Sequence, residues 1–418
     1  MNDLKFGRQA ISLEEAQRRV LGHVRLQETE KVPLFEACGR RLAENIYAGS
    51  PLPHFRRSGV DGYAVRASDT TGASLAEAVC LEVVETVPCG LVPAKTIGPG
   101  QAARIMTGAA VPEGADAVVM LEMTNAVHQE TGLGGMVAVH KAMNPGDNVT
   151  PVGEEAAAGE QLLRKGCIIG PGEAAVLAAF GHSLVKVYKR PRVAIFSTGS
   201  ELLPVDAPLA PGKIRGSNGY MLACQVQQAG GVPLLMPFLP DDAGRVEREL
   251  QAAAEQADLW MTTGGVSVGD KDVLAELFGR WDGELLFNKI AMRPGSPTSV
   301  GLWRGKPLFA LSGNPGACYV GFELLVRPYL RASQGASDPL LSGAIAVLDT
   351  DYGKGSAYPR YIRGASRVEQ GTVFVRPAGR DKSSIMVSIK ETDCFICLPA
   401  GGRGARRGEL VRVLTIGD

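Results

Sequence analysis

The stretch TTGGVSVGDKD, residues 262–272, stands between an apolar run, DLWM, and a helical pattern, VLAELFGRW. Its three glycines, three hydroxyl side chains and two aspartates predict a turn from a strand into a helix. Glycines allow backbone N–H groups to approach an anion closely, and a helix N-terminus adds unpaired donors. Because two carboxylates would repel that anion, we interpret the stretch as a site for a phosphate with Mg²⁺, with a purely structural turn as the alternative.

The alternation of strand, loop and helix patterns continues on both sides of this stretch, over residues 190–335. The segments RVAIFSTGSEL and DLWMTTGG are typical of buried strands, and NGYMLACQVQQAGG and AGRVERELQAAAEQA are typical of helices. This alternation predicts an α/β domain with a parallel, doubly wound sheet. Ligands of such sheets bind at the carboxyl ends of the strands, where we expect the loops 197–201, 240–242 and 262–272 to lie.

Short strand-like runs dominate the flanking segments. Residues 51–150 contain AVCLEVVETV, ADAVVMLEMT and GMVAVHKAM between turns rich in Gly and Pro, which predicts a β-rich domain. Residues 336–418 contain RYIRGASRV, TVFVRP and ELVRVLTI, which predicts a small C-terminal β-barrel. Residues 1–50 and 151–189 form a linking or dimerisation domain, in which Ser12 caps an amphipathic helix from Leu13 to near Glu28.

Composition limits the classes of function. The chain has 418 residues, of which 45% are apolar and 21% are charged, as is typical of a globular protein with several domains. Lys and Arg number 44, as do Asp and Glu, so no net charge favours nucleic acid or an anionic membrane. The sequence has neither an apolar run of about 18 residues nor an N-terminal apolar segment, so we expect a cytoplasmic protein without a membrane span.

The eight cysteines are scattered along the sequence, which suits reduced thiols rather than a disulfide framework. Cys394 and Cys397 form a CxxC motif inside an apolar run, DCFICLPA. A zinc ribbon needs a second such pair at suitable spacing, and none is present. We therefore interpret these two residues as buried thiols.

Polar side chains, most of them charged, gather at the predicted ligand edge of the α/β domain. Acids beside glycine loops repel one another unless a cation is bound, and Mg²⁺ prefers carboxylate oxygens. The sequence shows no Ser-His-Asp or Cys-His pattern and no GxGxxG fingerprint, so we expect positioning and electrostatic stabilisation rather than covalent catalysis. The polar side chains at this predicted edge are those of Glu201, Asp241, Asp242, Asp270, Asp272, Lys289, Arg293 and Asn314.

Five motifs in this order resemble the molybdopterin molybdenumtransferase family, to which the C-terminal region of gephyrin is related. They are FRRSGVDGYAV (55–65), RIMTGAAVPEGADAVVM (104–120), FSTGSEL (196–202), TTGGVSVGDKD (262–272) and LSGNPGA (311–317). The resemblance covers nearly the whole chain and implies the last step of molybdenum cofactor synthesis. In that step adenylylated molybdopterin and molybdate react with the help of a divalent cation such as Mg²⁺, the pyrophosphate is cleaved, and AMP is released.

The resemblance also implies partners and site residues. The implied assembly is a homodimer in which each site joins the α/β domain of one subunit to the β-rich domain of the other, and the molybdopterin adenylyltransferase is an additional implied partner. The implied catalytic residues are Asp61, Thr107, Glu201, Asp242 and Asp272, of which the last three are also the implied metal ligands, with Asp241 as an alternative to Asp242. The implied ligand-binding residues are Thr198, Gly199, Thr263, Gly264, Gly265, Ser267, Gly269, Lys289, Arg293, Gly313, Asn314, Pro315 and Ser383.

The chain departs from the family pattern around the implied oxyanion pocket. Arg293 and Ser296 stand where the family often has lysines, Ser312 stands where proline is frequent, and DKSS, residues 381–384, replaces a Gln-Gly-Ser-His type of loop. These departures leave tungstate as an alternative to molybdate. A non-catalytic scaffold of the same fold is a further alternative, although the retained acids favour an enzyme. The related adenylyltransferase is one compact domain, so the two β-rich segments argue against it.

Overall fold

The computed structural model describes residues 9–127, 135–239, 242–265, 277 and 283–417. The chain forms two compact units, which we call the first and the second unit. The first comprises Met1–Glu44, Lys165–Pro171 and Leu184–Asp418, and the second comprises Asn45–Arg164 and Gly172–Ser183.

Strands and α-helices are numbered here along the described residues. The strands of the first half are β1 Thr29–Pro33, β2 Ile46–Tyr47, β3 Arg57–Ser58, β4 Gly62–Val65, β5 Val79–Val87, β6 Gln101–Ile105, β7 Ala117–Met120, β8 Thr124–Ala126, β9 Met136–Val139, β10 Val149–Thr150, β11 Gln161–Leu163 and β12 Leu184–Tyr188. Those of the second half are β13 Arg192–Ser197, β14 Leu202–Leu203, β15 Ile214–Arg215, β16 Val232–Leu235, β17 Leu259–Thr263, β18 Glu284–Phe287, β19 Ser299–Trp303, β20 Lys306–Leu311, β21 Gly343–Leu348, β22 Arg360–Glu369, β23 Thr372–Pro377, β24 Cys394–Leu398 and β25 Leu410–Thr415. The helices are α1 Leu13–Gly22, α2 Pro171–Ala179, α3 Asn218–Gln228, α4 Ala243–Ala253, α5 Pro315–Gly321 and α6 Arg327–Ser333, and a π-helical segment, Phe322–Val326, joins the last two.

A six-stranded sheet in the order β16-β13-β17-β20-β19-β18 is the centre of the first unit. Alternate residues of β13 lie on opposite faces: Val193 and Ile195 belong to the core that contains α1, α3 and α5, whereas Ala194 and Phe196 belong to the core that contains α4. Side chains of a strand alternate between the two faces of a sheet, so helices on both sides bury both faces. The predicted doubly wound α/β domain is confirmed.

The sheet is mixed rather than wholly parallel. Strands β16, β13, β17 and β20 are parallel, as the sequence predicts, whereas β19 and β18 are antiparallel. The cause is a tight hairpin between β19 and β20, in which Arg304 and Gly305 both have positive φ, at 48° and 72°. Two-residue hairpins favour this backbone conformation, and they join only antiparallel strands.

The N-terminal helix is shorter than its sequence pattern predicts. Ser12 caps it as expected, since the Ser12 hydroxyl accepts a hydrogen bond from Glu15 N at 3.1 Å. The helix ends at Gly22, so the predicted end near Glu28 is wrong. Tertiary hydrogen bonds replace the helical ones: Gln27 N donates to Ser333 O at 2.8 Å, and Thr29 begins the pairing of β1 with β12. The helix itself packs on the α/β sheet through Leu13, Ala16 and Val20.

The C-terminal strands of the first unit close into a barrel in the order β21-β23-β22-β24-β25, which confirms the predicted β-barrel. Cys394 is buried inside it, and Cys397 is half-buried. Burial raises the pKa of Cys397 to about 11, so its thiol stays protonated at neutral pH. Both cysteines are free, in agreement with the interpretation as buried thiols.

A six-stranded sheet in the order β7-β4-β6-β5-β9-β8 forms the centre of the second unit. Hydrophobic clusters cover both of its faces, with Ala64 and Ile105 in one cluster and Val65 and Val119 in the other. The β-rich character predicted for residues 51–150 is confirmed. In the described part of the chain, none of the helices is long and apolar enough to cross a membrane.

Candidate functional site

Three strand ends of the α/β sheet meet at the predicted ligand edge. Thr198, which follows β13, donates its N–H to Thr263 O at 3.0 Å, and Gly264, which follows β17, donates to Leu311 O at 3.0 Å. Gly264 has a φ of +96°, and a Cβ there would lie 2.4 Å from Thr198 Oγ1. A Cβ on Gly313 would lie 3.3 Å from Gly264 Cα. Glycine is therefore required where these loops touch, and the backbone at this edge is bare.

Asn218, the first residue of α3, joins two of these loops and was not predicted from the sequence. Its side-chain amide donates to Thr263 Oγ1 and to Gly313 O, both at 2.8 Å. Thr263 Oγ1 in turn donates to Ser312 O at 3.1 Å. The side-chain oxygen of Asn218 is buried and has no hydrogen-bond partner among the described residues. The one signal in the sequence is its place at a helix start, in GSNGY, which is common to many helix caps.

The carboxylates predicted as metal ligands differ in their surroundings. Glu201 is exposed, and in the described part of the chain its carboxylate makes no hydrogen bond or ion pair. Asp242 caps α4, because its Oδ1 accepts a hydrogen bond from Arg245 N at 2.7 Å. Asp272, with Asp241, Asp270, Ser267 and Gly269, lies outside the described residues.

A test of the metal site uses only the described acids. The His, Cys, Asp and Glu side chains of the described residues form no group of three that could hold a metal ion. A free carboxylate such as Glu201 suits a hard cation, whereas the carboxylate of Asp242 is already used by the helix cap. The described residues alone do not make a Mg²⁺ site, and Mg²⁺ at this edge stays a prediction.

A cavity of about 500 Å³ lies in the first unit between the α/β domain and the barrel. It contains three of the residues predicted to bind ligand, Arg293, Asn314 and Ser383, whereas Lys289 is not among its described lining residues. The barrel adds Arg360 and Asp381, which the sequence pattern did not identify. Four hydroxyl side chains also line it: Ser296, Ser312, Ser356 and Ser383.

Backbone hydrogen bonds fix the segments that form this cavity. Arg293 N donates to Pro359 O at 2.9 Å, and Tyr361 N donates to Arg293 O at 2.8 Å, so the loop is bound to β22 like an added strand. Gly316 N, in the first turn of α5, donates to Ser383 O at 2.8 Å. The arginine, the hydroxyl groups and Asn314 are thus held on three different elements around one space.

A buried polar cluster fixes the helix that begins after Asn314. Glu323, on the π-helical segment, receives hydrogen bonds from Arg327 Nε at 2.5 Å and from Gln225 Nε2 at 2.7 Å. All three side chains are buried, and Gln225 belongs to α3, which also carries Asn218. A charge pair without water resists rearrangement, because separating the partners would leave a charge uncompensated.

Asp61 and Thr107 form a pair in the second unit. Asp61 Oδ1 accepts hydrogen bonds from Thr107 N at 2.6 Å and from Thr107 Oγ1 at 2.8 Å. These two hydrogen bonds, with a smaller contribution from the charge of Arg104, hold the pKa of the Asp61 carboxyl below its usual value. The pair is exposed where β4 begins and β6 ends, so an ionised, oriented carboxylate faces solvent at neutral pH.

Two neighbours of this pair were not predicted from the sequence. Cys89 donates its thiol hydrogen to Thr107 O at 2.8 Å, and Arg104 donates to Gly62 O at 2.9 Å and to Ile105 O at 2.7 Å. Gly62 has no room for a side chain, since a Cβ would lie 1.9 Å from Val119 O. These contacts explain why the motif VDGYAV places its aspartate so firmly against residue 107.

Comparison with known protein families agrees with this architecture. Residues 11–181 match the MoeA N-terminal region (domain I and II), residues 194–332 match a probable molybdopterin binding domain, and residues 346–416 match the MoeA C-terminal region (domain IV). The three matches follow the order of the β-rich segment, the α/β sheet and the barrel. They define a multidomain protein of the MoeA type with a molybdopterin-binding domain.

Whole-chain relatives make the assignment more specific. The molybdopterin molybdenumtransferase of Bacillus subtilis is 44% identical over 409 residues, 98% of this chain and 95% of the relative. That of Staphylococcus epidermidis is 40% identical over 408 residues, 97% of this chain and 96% of the relative. A crystal structure of the molybdopterin biosynthesis MoeA protein from Pyrococcus horikoshii has a TM-score of 0.83 and 32% identity, with coverage of 98% of this chain and 100% of that one. The chain belongs to the molybdopterin molybdenumtransferase family.

Membership confirms the predicted family, the fold class and the prediction of a transferase in molybdenum cofactor biosynthesis. The individual site residues remain predictions. The structure brings Thr198, Gly199, Thr263, Gly264 and Gly313 to one edge of the sheet.

Proposed function

We propose that this chain inserts molybdenum from molybdate into adenylylated molybdopterin, with cleavage of the pyrophosphate bond and release of AMP. The observation that carries the proposal is the pairing of two features in one unit. A glycine-lined edge suited to a pyrophosphate lies on the same α/β sheet as a cavity of about 500 Å³ with two arginines. Asn314 and Ser312 border the cavity and follow β20, whose neighbour Gly264 belongs to the edge.

The proposed reaction balances without an oxidant or reductant. Water attacks the pterin-side phosphorus, the bond from that phosphorus to the bridging oxygen breaks, and AMP leaves with the bridging oxygen. The oxygen of water stays on the pterin phosphate, and its two protons go to the two phosphate products or to solvent. The two dithiolene thiols form two Mo–S bonds with molybdate, one Mo–O bond breaks, and that oxygen leaves as water with both thiol protons. Molybdenum keeps its oxidation state, so the protein needs only to bind, orient and stabilise charge.

The edge and the cavity suggest separate tasks. Bare backbone at Gly199 and Gly265 lets N–H groups reach phosphate oxygens, as in other glycine-rich turns after parallel strands. Gly264, whose N–H donates to Leu311 O, leaves room for that approach because it has no side chain. Arg293 and Arg360 are suited to an oxyanion, because a guanidinium offers several donors in one plane. Arg360 Nε is buried and has no acceptor in the part of the chain that the structure describes, so this arginine still has an unused donor.

The proposed reaction is tested by AMP release. Purified protein is incubated with adenylylated molybdopterin, with or without molybdate, and AMP is measured by chromatography. We expect AMP to appear at a rate that saturates with molybdate concentration. The proposal would be contradicted if the rate of AMP release did not depend on molybdate. It would also be contradicted if a folded protein that binds the pterin released no AMP. Tungstate in a parallel assay shows whether the second oxyanion is also accepted.

A homodimer is the proposed assembly, and exposed apolar residues of the first unit support it. Phe35 is 92% exposed in the turn after β1, and Leu184, 58% exposed, is paired with Pro33. Large apolar side chains exposed to water on neighbouring segments are typical of a protein interface.

The second proposed partner is the adenylyltransferase that would supply the adenylylated substrate.

The Phe35→Glu variant tests the dimer. Light scattering at micromolar concentration should give the mass of two chains for the wild type and of one chain for the variant, because a charge would be buried without a partner. Val368→Glu is the matched control, since Val368 is also exposed, at 72%, but lies on β22 of the barrel. An active wild-type monomer would refute the assembly, and a dimeric Phe35→Glu variant would refute the assigned face.

A further inference from the structure

Asp381 brings a negative charge into the cavity that is proposed to hold an oxyanion. It lines the same space as Arg293 and Arg360, and its side chain is only 15% exposed. A carboxylate in such a place opposes a dianion, because like charges repel strongly where water is scarce. Its presence therefore calls for a role other than direct contact with the oxyanion.

The Asp381 carboxylate is held by Tyr352 and Arg360, with Lys354 as a longer ion pair at 3.9 Å. Its Oδ2 accepts a hydrogen bond from the Tyr352 hydroxyl and lies 3.3 Å from a terminal nitrogen of Arg360. The same Arg360 nitrogen donates to Tyr352 Oη at 3.1 Å. Burial, followed by the hydrogen bond and the charge of Asp381, raises the pKa of Tyr352, so the phenol remains a donor to the carboxylate.

These contacts use much of the hydrogen-bonding capacity of Arg360. One terminal nitrogen faces Asp381 and Tyr352, and the other donates to Gly355 O at 3.2 Å. Arg293 differs, because among the described residues no carboxylate forms an ion pair with it. Within the described residues, the cavity thus contains one arginine with a neutralising carboxylate and one without.

We propose that Asp381 is a positioning residue that limits the oxyanion affinity of the cavity by restraining and neutralising Arg360. The inference rests on the proposed function, since it concerns the oxyanion of that reaction. With Asp381 ionised, the three charged side chains that line the cavity leave a single positive charge against a dianion. Without the Asp381 charge, two guanidinium groups face the ligand with no carboxylate to neutralise either, while the other terminal nitrogen of Arg360 stays on Gly355 O. Weaker binding favours exchange of the oxyanion, since a dianion between two free arginines would leave slowly.

The Asp381→Asn variant tests this role. Asparagine has nearly the same shape and can still accept the Tyr352 hydrogen bond, so the main change is the loss of charge. We expect the half-saturating molybdate concentration to fall about three- to tenfold, which is the size of one added charge interaction in a partly solvated site. Turnover at saturating molybdate should stay within about twofold of the wild type, because binding and not the chemical step is altered.

Two further readouts separate a charge effect from a general structural one. Calorimetric titration of the protein with molybdate alone, and with sulfate alone, should show tighter binding of both anions in the variant. The dependence of that binding on salt concentration should become steeper, because each added charge contact is screened by ions. A merely structural change would not move the salt dependence in this direction.

Asp349→Asn is the matched control. Asp349 pairs with Arg367 at 3.2 Å on the same barrel and does not line the cavity, so the substitution removes an equal charge away from the cavity. Arg367 also pairs with Glu369, which keeps it neutralised in the control. We expect unchanged molybdate binding in this control. Asp381→Ser provides a second neutral replacement, for which tighter binding is again expected.

The outcomes separate the inference from the proposed function. Molybdate-dependent AMP release by the wild type, with unchanged or weaker molybdate binding in both Asp381 variants, would overturn the role of Asp381 and leave the function intact. Weaker binding in particular would mean that Asp381 orients Arg360 for the ligand. Tighter anion binding in the variants of a protein that never releases AMP would support the role of Asp381 while the proposed function fails.

Discussion

We expect the replacement of Glu201 by glutamine to lower the rate of AMP release by about 10²–10³, the usual cost of removing one group that stabilises transition-state charge. Glu201 is exposed in the loop after β13, beside Gly199, and among the described residues its carboxylate has no partner of its own. A carboxylate that stabilises no neighbour is available for ligand chemistry, and its replacement should not affect folding. We therefore expect unchanged thermal unfolding together with the loss of rate.

Glu255→Gln is the control for this prediction, because Glu255 is also exposed but lies beyond the end of α4. The variant should keep wild-type activity. The half-saturating Mg²⁺ concentration, measured for the wild type and for Glu201→Gln, tests the predicted cation separately. Wild-type AMP release by a folded Glu201→Gln protein would show that this carboxylate has no part in the reaction. Asp272→Ala should cause a loss of similar size if the sequence motif assigns it correctly.

Mixing two inactive variants, Asp61→Asn and Glu201→Gln, should restore about a quarter of the wild-type activity if each site takes these residues from different subunits of a symmetric dimer. Asp61 and Glu201 belong to different compact units of the chain, and the family resemblance implies that both serve one reaction. Random exchange makes about half of the dimers mixed, and each mixed dimer has one site with both lesions and one with neither. The separate Asp61→Asn and Glu201→Gln proteins should be inactive under the same conditions.

Subunit exchange must be verified, for example by mass spectrometry of chains that carry different isotopes. If the mixture stays inactive after complete exchange, both residues act within the same subunit and the shared site is wrong. Asp61 is suited to this test because its carboxylate is exposed, ionised and oriented by Thr107. Asparagine keeps an acceptor for the Thr107 hydrogen bonds, so it removes the charge with little change of shape.

The sequence predicted the strand and the glycine turn at Gly264 because the signals there are local. A buried strand followed by glycines, as in DLWMTTGG, specifies both a parallel strand and a bare turn, and the structure places Gly264 accordingly. The β-barrel was also predictable, since short alternating runs indicate strands whatever their partners. The antiparallel edge strands were missed because the hairpin at Arg304 and Gly305 lacks the usual Asn-Gly signal.

Long-range packing explains the other omissions. Arg360 and Asp381 reach the cavity because a loop at Arg293 pairs with β22, and no pattern near either residue indicates that contact. Asn218 resembles any polar residue at a helix start until its amide is seen to join Thr263 and Gly313. Helix α1 ends early for a similar reason, since the hydrogen bond from Gln27 to Ser333 crosses most of the sequence.

The central claim is that this chain couples molybdenum insertion to AMP release. The most direct test is the ratio of molybdenum bound to the pterin to AMP released. Adenylylated molybdopterin is incubated with the protein and molybdate, the pterin product is separated, and its molybdenum is measured by mass spectrometry beside the released AMP. The account predicts one molybdenum on the pterin for each AMP. AMP release with no molybdenum on the pterin would contradict it.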